Sequence, residues 1–422
     1  METQSPESPL LSLVEQIKQA ALQEQTQTLA PGSNPSTSPA PSHFQLLGLI
    51  DKLRLAVETP TETVLRLIYQ PPQNAALRTV MDLGIFPLLM ANGKRGVSAV
   101  ELAERTGAER GLVVRLMRVI TALGLCASPE FELYFANDKT PVLTQPIGRD
   151  GIPCIYDLTL PTLSQLPTYF REHSYLTPKE YSKSPMQWAV GQSQFEWLAA
   201  HKPRQALFNS YMASRRHGKP AWFDVYPVER LTDGVREHPE AVFLVDVGGN
   251  QGHDLVRFHD SFPDVKGQLV LQDLPKVVNK APVGDGDGGR IVSMGYSFLD
   301  PQPVKGARAY YFRAIFHDWP DHICRKILVN TVSAMDPTYS RIIISDFVLP
   351  DTDVPLFQAS LDIQMMSIGS GVERSERQWR EMLDEAGLEI TGIWCDNPGM
   401  ESVIEAVRRG SAATAAAAAA AA

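Results

Sequence analysis

Along the 422-residue chain, apolar positions follow one spacing in the first part and another in the second. From 44 to 125 they recur at helical intervals. The run that starts His43-Phe44-Gln45-Leu46-Leu47 predicts one helix, and Ala75 to Leu89 carries Leu77, Val80, Met81 and Ile85, with Gly84 and Pro87 as breaks. Ser98-x-x-Glu101 is a capping box that opens a short helix, and Thr106-Gly107 turns the chain. Leu112, Leu116, Ile120 and Leu123 then give a second helix its inner face, and Gly124 stops it. Followed by the strand-like Phe131-Glu132-Leu133-Tyr134-Phe135, this describes a winged helix-turn-helix.

Beyond about residue 241, strand-like and helix-like pieces alternate. Val242 to Val247 is a mostly apolar run of the type buried on both faces of a parallel sheet. Leu269-Val270-Leu271, Ala309-Tyr310-Tyr311-Phe312 and Ile342-Ile343-Ile344 predict further strands. Pro320 to Met335 predicts a helix with Ile323, Ile327, Leu328 and Val332 inward. Leu388 to Trp394 and Ser402 to Val407 close the sheet as an antiparallel pair. The series predicts a doubly wound α/β domain whose ligand lies at the carboxyl ends of the strands.

Outside these domains, Leu10, Leu11, Leu13, Val14 and Ile17 are spaced for a short amphipathic helix. Residues 31–42, PGSNPSTSPAPS, read as a linker, and the pure alanine run 415–422 as a mobile tail. The expected division is an arm and linker over 1–43, a helical winged-helix domain over 44–203, a ligand-binding domain over 204–408 and a tail over 409–422.

The charge of 39 − 48 = −9 argues against a protein whose main work is gripping nucleic-acid phosphates or anionic lipid. The helix-turn-helix itself, residues 76–147, holds eight Lys/Arg against seven Asp/Glu, a poor footprint for a duplex. Packing or dimerisation is the expected role. Cys126, Cys154, Cys324 and Cys395 match no disulfide or zinc spacing. With no basic segment before the first apolar residues and no run of the ~18 apolar residues a spanning helix needs, a cytoplasmic chain without a cleaved leader is expected.

Directly after the first strand comes Asp246-Val247-Gly248-Gly249-Asn250-Gln251-Gly252. Glycines there let the backbone turn sharply and approach a ligand, but the spacing is not the GxGxxG of a dinucleotide site. Asp246 would repel phosphate and suits a cation, while Asp273, ending the next strand before Leu274-Pro275, can accept both hydroxyls of a ribose. The pair fits an adenosyl ligand with positive charge and no phosphate, as in S-adenosylmethionine.

His317, in Arg313-Ala314-Ile315-Phe316-His317-Asp318-Trp319, follows a strand end and can act as a general base near neutral pH. Asp346 ends the next strand, and Glu373 lies in the loop Gly371-Val372-Glu373-Arg374.

Taken in order, Asp246 to Gly252, Asp273-Leu274-Pro275, His317-Asp318-Trp319, Asp346 with Leu349-Pro350, and Glu373-Arg374 make residues from about 85 to 408 resemble a plant-type small-molecule O-methyltransferase, in the branch similar to fungal polyketide-modifying enzymes. The resemblance implies a Rossmann-like methyltransferase sheet, mostly parallel with an antiparallel closing strand, and an N-terminal winged-helix domain that dimerises. It matches His317 to the family's catalytic base and Asp346 and Glu373 to the flanking acids. It matches Asp273 to the ribose ligand and Gly248 to the glycine under the methionine moiety, with Asp246, Gly249, Leu274, Phe298 and Arg313 completing the cofactor set. Phe208-Asn209-Ser210-Tyr211-Met212 resembles a helix lining the cleft. With Phe208, Asn209 and Met212, the candidate walls for a flat aromatic acceptor are Phe316, Trp319, Met365 and Met366, and no metal is expected.

The chain departs from the family pattern at four places. Asn250 stands where glycine is frequent, Tyr296 replaces the acid of the adenine block Gly295-Tyr296-Ser297-Phe298, Arg313 replaces a common lysine, and Asp346 is one methylene shorter than the usual glutamate. The reading is a homodimeric enzyme that methylates a phenolic hydroxyl of an aromatic metabolite. Its rivals are a nicotinamide-dependent oxidoreductase and a non-catalytic winged-helix regulator.

Overall fold

The computed structural model describes residues 8–28, 41–215, 219–236, 238, 240–279, 290–396 and 399–410. Most of the expected linker and the whole alanine tail lie outside them. The chain divides into two compact units, Met1–Gln165 with Phe195–Lys219, and Leu166–Gln194 with Pro220–Ala422.

In the first unit, Ser98 accepts a hydrogen bond from the Glu101 N–H and caps the helix Ala99–Thr106, which Gly107 ends in the left-handed conformation. The helix Arg110–Ala122 follows. Its inner face is only partly the expected one: Ile120 is buried and Leu116 packs against the core, with Val113, Val114 and Met117 buried beside them, whereas Leu112 and Leu123 are exposed. Apolar residues on this helix form two overlapping stripes, and periodicity alone does not say which stripe meets the core. The wing is a three-stranded antiparallel sheet of Val97–Ser98, Ala127–Glu130 and Leu133–Phe135.

Three expectations need correction. Gly84, at φ 66°, separates Gln70–Asp82 from Ile85–Asn92, but Pro87 sits in the first turn of the second helix, where a missing N–H costs nothing. The arm over 1–43 contains the helix Pro9–Thr28 and the start of Pro41–Val57, linked by His43 Nδ1 and Glu24 Oε1 at 2.6 Å. The boundary after residue 203 falls inside the helix Lys202–Ser214, whose early Pro203 is tolerated at such a position.

The second unit is built on a seven-stranded sheet: β1 Val242–Val247, β2 Gln268–Asp273, β3 Ile291–Gly295, β4 Ala309–Arg313, β5 Arg341–Asp346, β6 Leu388–Trp394 and β7 Ser402–Arg408. The order across it is β6-β7-β5-β4-β1-β2-β3. β7 runs antiparallel to both neighbours, and the other pairings are parallel. Alternate residues feed two cores: Val245, Tyr310, Phe312, Ile342 and Ile344 on one face, Phe243, Tyr311, Ile343 and Val403 on the other. Burial on both faces explains why these strands read as continuous apolar runs. β3 escaped sequence reading because it is an edge strand with only Ile291 buried.

β1 has β2 on one side and β4 on the other, so the strand order reverses there and a crevice opens at their carboxyl ends. Among the described residues no single helix is long and apolar enough to cross a membrane. The one pair that passes by length and composition, Pro60–Asp82 with Ile85–Arg95, is bent by 63°.

Candidate active site

Four adjacent strand ends, in the order β2, β1, β4 and β5, supply most of the expected site residues. β1 ends at Asp246 and Val247, and the turn beyond it needs glycine. Gly248 has φ 78°, and a Cβ there would stand 2.5 Å from Ile315 Cδ1. A Cβ on Gly249 would collide with the buried Asp246 carboxylate and with Leu271. Both amides donate to the Gln272 carbonyl, at 2.7 and 3.1 Å. Asn250 takes φ 55°, the left-handed backbone that asparagine tolerates best after glycine, so the turn survives that replacement.

At the end of β2, Asp273 accepts from the Asn250 N–H at 2.9 Å and the Leu274 N–H at 2.7 Å. A carboxylate offers about four lone-pair positions, so these bonds fix its orientation and leave acceptor capacity. Burial raises the Asp273 pKa, with the two backbone N–H groups acting in the opposite direction. Leu274 is exposed.

Tyr296 follows β3, and its hydroxyl donates to the Asp300 carbonyl at 2.8 Å, inside its own loop. Burial pushes the phenol up to about 12. Phe298 lies edge-on to Trp319 with ring centroids 6.0 Å apart, and Trp319 in turn lies 5.6 Å from Tyr181.

Arg313, at the end of β4, sits among acids. Its Nη1 lies 3.0 Å from Asp254 and its Nε 2.8 Å from Glu401. The guanidinium thus ties β4 to the helix His253–Ser261 that leaves the glycine turn, which makes Arg313 a strut of the crevice floor. Sequence reading did not foresee Asp254 or Glu401, since neither belongs to a motif.

The turn Phe316–Asp318 then presents His317. Nδ1 of His317 is 2.8 Å from Glu373 Oε1 and 4.0 Å from Asp346 Oδ1, while Nε2 is 3.6 Å from Asp318 Oδ1. Asp346 Oδ2 and Glu373 Oε2 are buried without a hydrogen-bond partner. Burial pulls the imidazolium pKa down, but Asp318, Asp346 and Glu373 together outweigh it and hold His317 up at about 10. Asp346 is raised to about 7, first by burial. Ligand atoms of His317, Asp346 and Glu373 lie within 4.8 Å of one another, close enough to grip an ion as well as a proton.

The expected acceptor residues separate. Phe316 is fully buried between Phe312 and Trp379 at 5.1 and 5.8 Å, so it is core and offers no open wall. Trp319 and Met366 are half-buried, and Met365 is buried in the helix Leu356–Gly369. Phe208, Asn209 and Met212 lie on Lys202–Ser214 in the other unit, with Asn209 exposed. Tyr181, which no sequence signal marked, joins Trp319 from the segment Leu166–Gln194.

Comparison with known proteins bears on the family and the fold. An O-methyltransferase domain model matches residues 178–389, and an O-methyltransferase dimerisation domain model matches 71–143. Methyltransferase cfoC of Aspergillus candidus is 32% identical over 87% of this chain and 91% of its own. Demethylsterigmatocystin 6-O-methyltransferase of Aspergillus parasiticus is 32% identical over 82% and 88%. Among solved structures, LepI in complex with SAM superposes with a TM-score of 0.79 at 30% identity, covering 93% of this chain and 99% of that one. OxaC with SAH and oxaline gives 0.77 at 27%, covering 95% and 99%. The chain belongs to the O-methyltransferase family and is an S-adenosylmethionine-dependent O-methyltransferase.

Proposed function

We propose that this enzyme methylates a phenolic hydroxyl of an aromatic, polyketide-type metabolite, with His317 as the general base. The observation that carries the reading is the buried His317–Glu373 pair at 2.8 Å with Asp346 beside it, set at the carboxyl ends of the strands.

The crevice fits the cofactor. Asp273 keeps free acceptor capacity for ribose hydroxyls, and Asp246, at the end of β1 beside the glycine turn, suits a cationic ligand. Phe298 offers a ring to adenine, and Gly248 and Gly249, in the turn after β1, let the backbone approach the methionine moiety, with Leu274 beside Asp273. When bound, S-adenosylmethionine supplies a methyl group already activated by the sulfonium.

The protein's part is to align the acceptor and take its proton. A phenol, with pKa about 10, is mostly protonated at neutral pH, so a positioned imidazole contributes typically ~10²–10⁴-fold. Glu373 holds Nδ1, which leaves Nε2 as the atom that receives the phenolic proton. Asp346 and Glu373 stabilise the imidazolium that results. Asp318, with these two acids, keeps the resting imidazole protonated near neutrality, so His317 must lose that proton before each turnover. Trp319, Tyr181 and Met366 are the half-buried groups offered to a flat acceptor from this unit.

The reading includes a homodimer that works in the cytoplasm, and the dimerisation-domain match over residues 71–143 supports the first part. The proposed division is a winged-helix unit and a sheet unit, with the helix at 202–214 in the first and Leu166–Gln194 in the second.

The test is purified enzyme, S-adenosylmethionine and a panel of phenolic polyketides, followed by mass spectrometry. A gain of one CH2 in wild type, lost in His317→Ala with S-adenosylhomocysteine affinity kept, supports the proposal. Turnover of the His317→Ala variant at the wild-type rate overturns the base assignment. A product of unchanged mass would overturn the methyl-transfer reading for that acceptor, since one solved relative, with a TM-score of 0.79 at 30% identity, is a pericyclic reaction enzyme.

A further inference from the structure

His317 and Glu373 are 56 residues apart, on segments that belong to different loops, so something must fix their separation. Backbone ties contribute: the Val372 N–H donates to the His317 carbonyl at 3.0 Å, and a Cβ on Gly371 would collide with that carbonyl. Ala314, at φ 50°, turns the chain sharply just before the His317 segment, a left-handed conformation that side chains rarely adopt, and its N–H donates to the Ser345 carbonyl at 3.0 Å. The neighbouring contacts must hold it there.

Arg374 bridges the His317 and Glu373 segments. Its side chain is fully buried, and its fork of donors spans both segments. Nη1 donates to the Phe316 carbonyl at 2.9 Å and the Val372 carbonyl at 3.2 Å. Nη2 donates to the Trp319 carbonyl at 3.0 Å and to Asp321 Oδ1 at 2.8 Å, and Nε reaches Asp321 Oδ1 at 3.1 Å. Phe316 and Trp319 bracket the turn that carries His317, and Val372 precedes Glu373. A third segment is drawn in through Trp379. The guanidinium lies 5.6 Å from its ring, and its indole N–H donates at 3.1 Å to the carbonyl of Phe347, the residue after Asp346.

We propose that Arg374 is the positioning residue of the reaction: its planar fork sets the His317–Glu373 spacing and the direction of His317 Nε2. A lysine at this place keeps a charge but cannot reproduce five directed N–H bonds in one plane. An ångström of misplacement in a reacting group costs on the order of 10²-fold in rate, so the geometry is worth protecting with a buried cation.

The inference rests on His317 as the base, and its test separates the two ideas. Arg374→Lys and Asp321→Asn are compared with wild type by kcat and KM for both substrates, by the pH profile of kcat, and by the low-field Nδ1–H signal of His317, assigned through His317→Ala. Arg374→Lys is expected to lower kcat about tenfold or more with KM changed less than about threefold, and to shift or broaden the Nδ1–H signal. Asp321→Asn, which takes the charge from one anchor of the fork near the surface while leaving an acceptor oxygen, should give a smaller change in the same direction. Wild-type kcat, pH profile and imidazole signal in Arg374→Lys would overturn the proposal. If Arg374→Lys does not fold, an unchanged imidazole signal in Asp321→Asn would do so. Should His317→Ala prove active, the base assignment falls, while the Arg374→Lys spectrum still reports whether Arg374 sets the imidazole geometry.

Discussion

Asp318 is the acid on the working side of His317, 3.6 Å from Nε2, and removing its charge tests the electrostatics of the site directly. At that distance two unit charges interact by ~1 kcal/mol in water and ~4–5 kcal/mol at an effective dielectric of about 20. The Asp318 side chain is 39% exposed, so solvent screening brings the value to roughly 1–2 kcal/mol. That corresponds to about one pKa unit. The sign follows from the charges: without the carboxylate the imidazolium is less stable, so its pKa falls from about 10 and more neutral base is present at a given pH. Asp318→Asn should therefore move the acid limb of the kcat/KM–pH profile down by about one unit and raise the rate at pH 7 by up to about tenfold. The assay is methyl transfer from labelled S-adenosylmethionine between pH 6 and 11, with S-adenosylhomocysteine affinity as the control. A limb that stays in place or moves upward, with affinity unchanged, refutes the claim that this carboxylate holds the base protonated.

Other outcomes follow from the same geometry. Asp273→Asn keeps the side chain's size but loses one charge-assisted acceptor, and should weaken S-adenosylhomocysteine binding by about tenfold or more in calorimetry; unchanged affinity would remove Asp273 from the cofactor site. Tyr296→Phe should cost about 1 kcal/mol of stability, because the hydroxyl serves Asp300 in its own loop, and leave cofactor affinity within about threefold. A tenfold loss of affinity would mean that the hydroxyl touches adenine. Asp346 is raised from 3.8 to about 7, so the folded state binds the extra proton and stability falls as pH rises through that window. Asp346→Asn should flatten this slope in melting curves while sharply lowering turnover, and a slope identical to wild type would refute it. Dialysis against EDTA should leave the rate unchanged; a loss restored by a divalent ion would assign the His317 cluster to a metal.

How far the sequence led depends on how local each signal was. β1 and the turn after it were legible because an apolar strand, an acid and three glycines stand together within eleven residues of chain, and His317, Asp346 and Glu373 each sit next to a recognisable block. Their mutual distance was not legible, since it is set by Arg374, whose partners are mainly backbone carbonyls that carry no residue identity. Phe316 misled for a related reason: next to His317, an aromatic residue can point into the core as readily as into the crevice. Leu112 and Leu123 misled because both stripes of their helix are apolar, and only tertiary packing chose between them. Tyr181 carried no signal at all, because its meaning lies in Trp319, 138 residues later by number, and in Gly369, whose missing side chain leaves room for its ring.

The position of β7 bears on how the enzyme is made. β7 follows β6 in the chain but slots between β6 and β5, and it supplies the antiparallel partner along the length of the strand that ends in Asp346. Until residues 402–408 have left the ribosome, β5 therefore has an open hydrogen-bonding edge, and its apolar Ile342-Ile343-Ile344 is available for pairing with another nascent chain. Glu405 of the same strand brings the carboxylate that Arg230 and Arg341 would otherwise lack. A messenger truncated a few dozen codons early would thus yield a chain with His317, Asp346 and Glu373 present and a sheet unable to hold them, a target for chaperones and proteases before it is ever a catalyst.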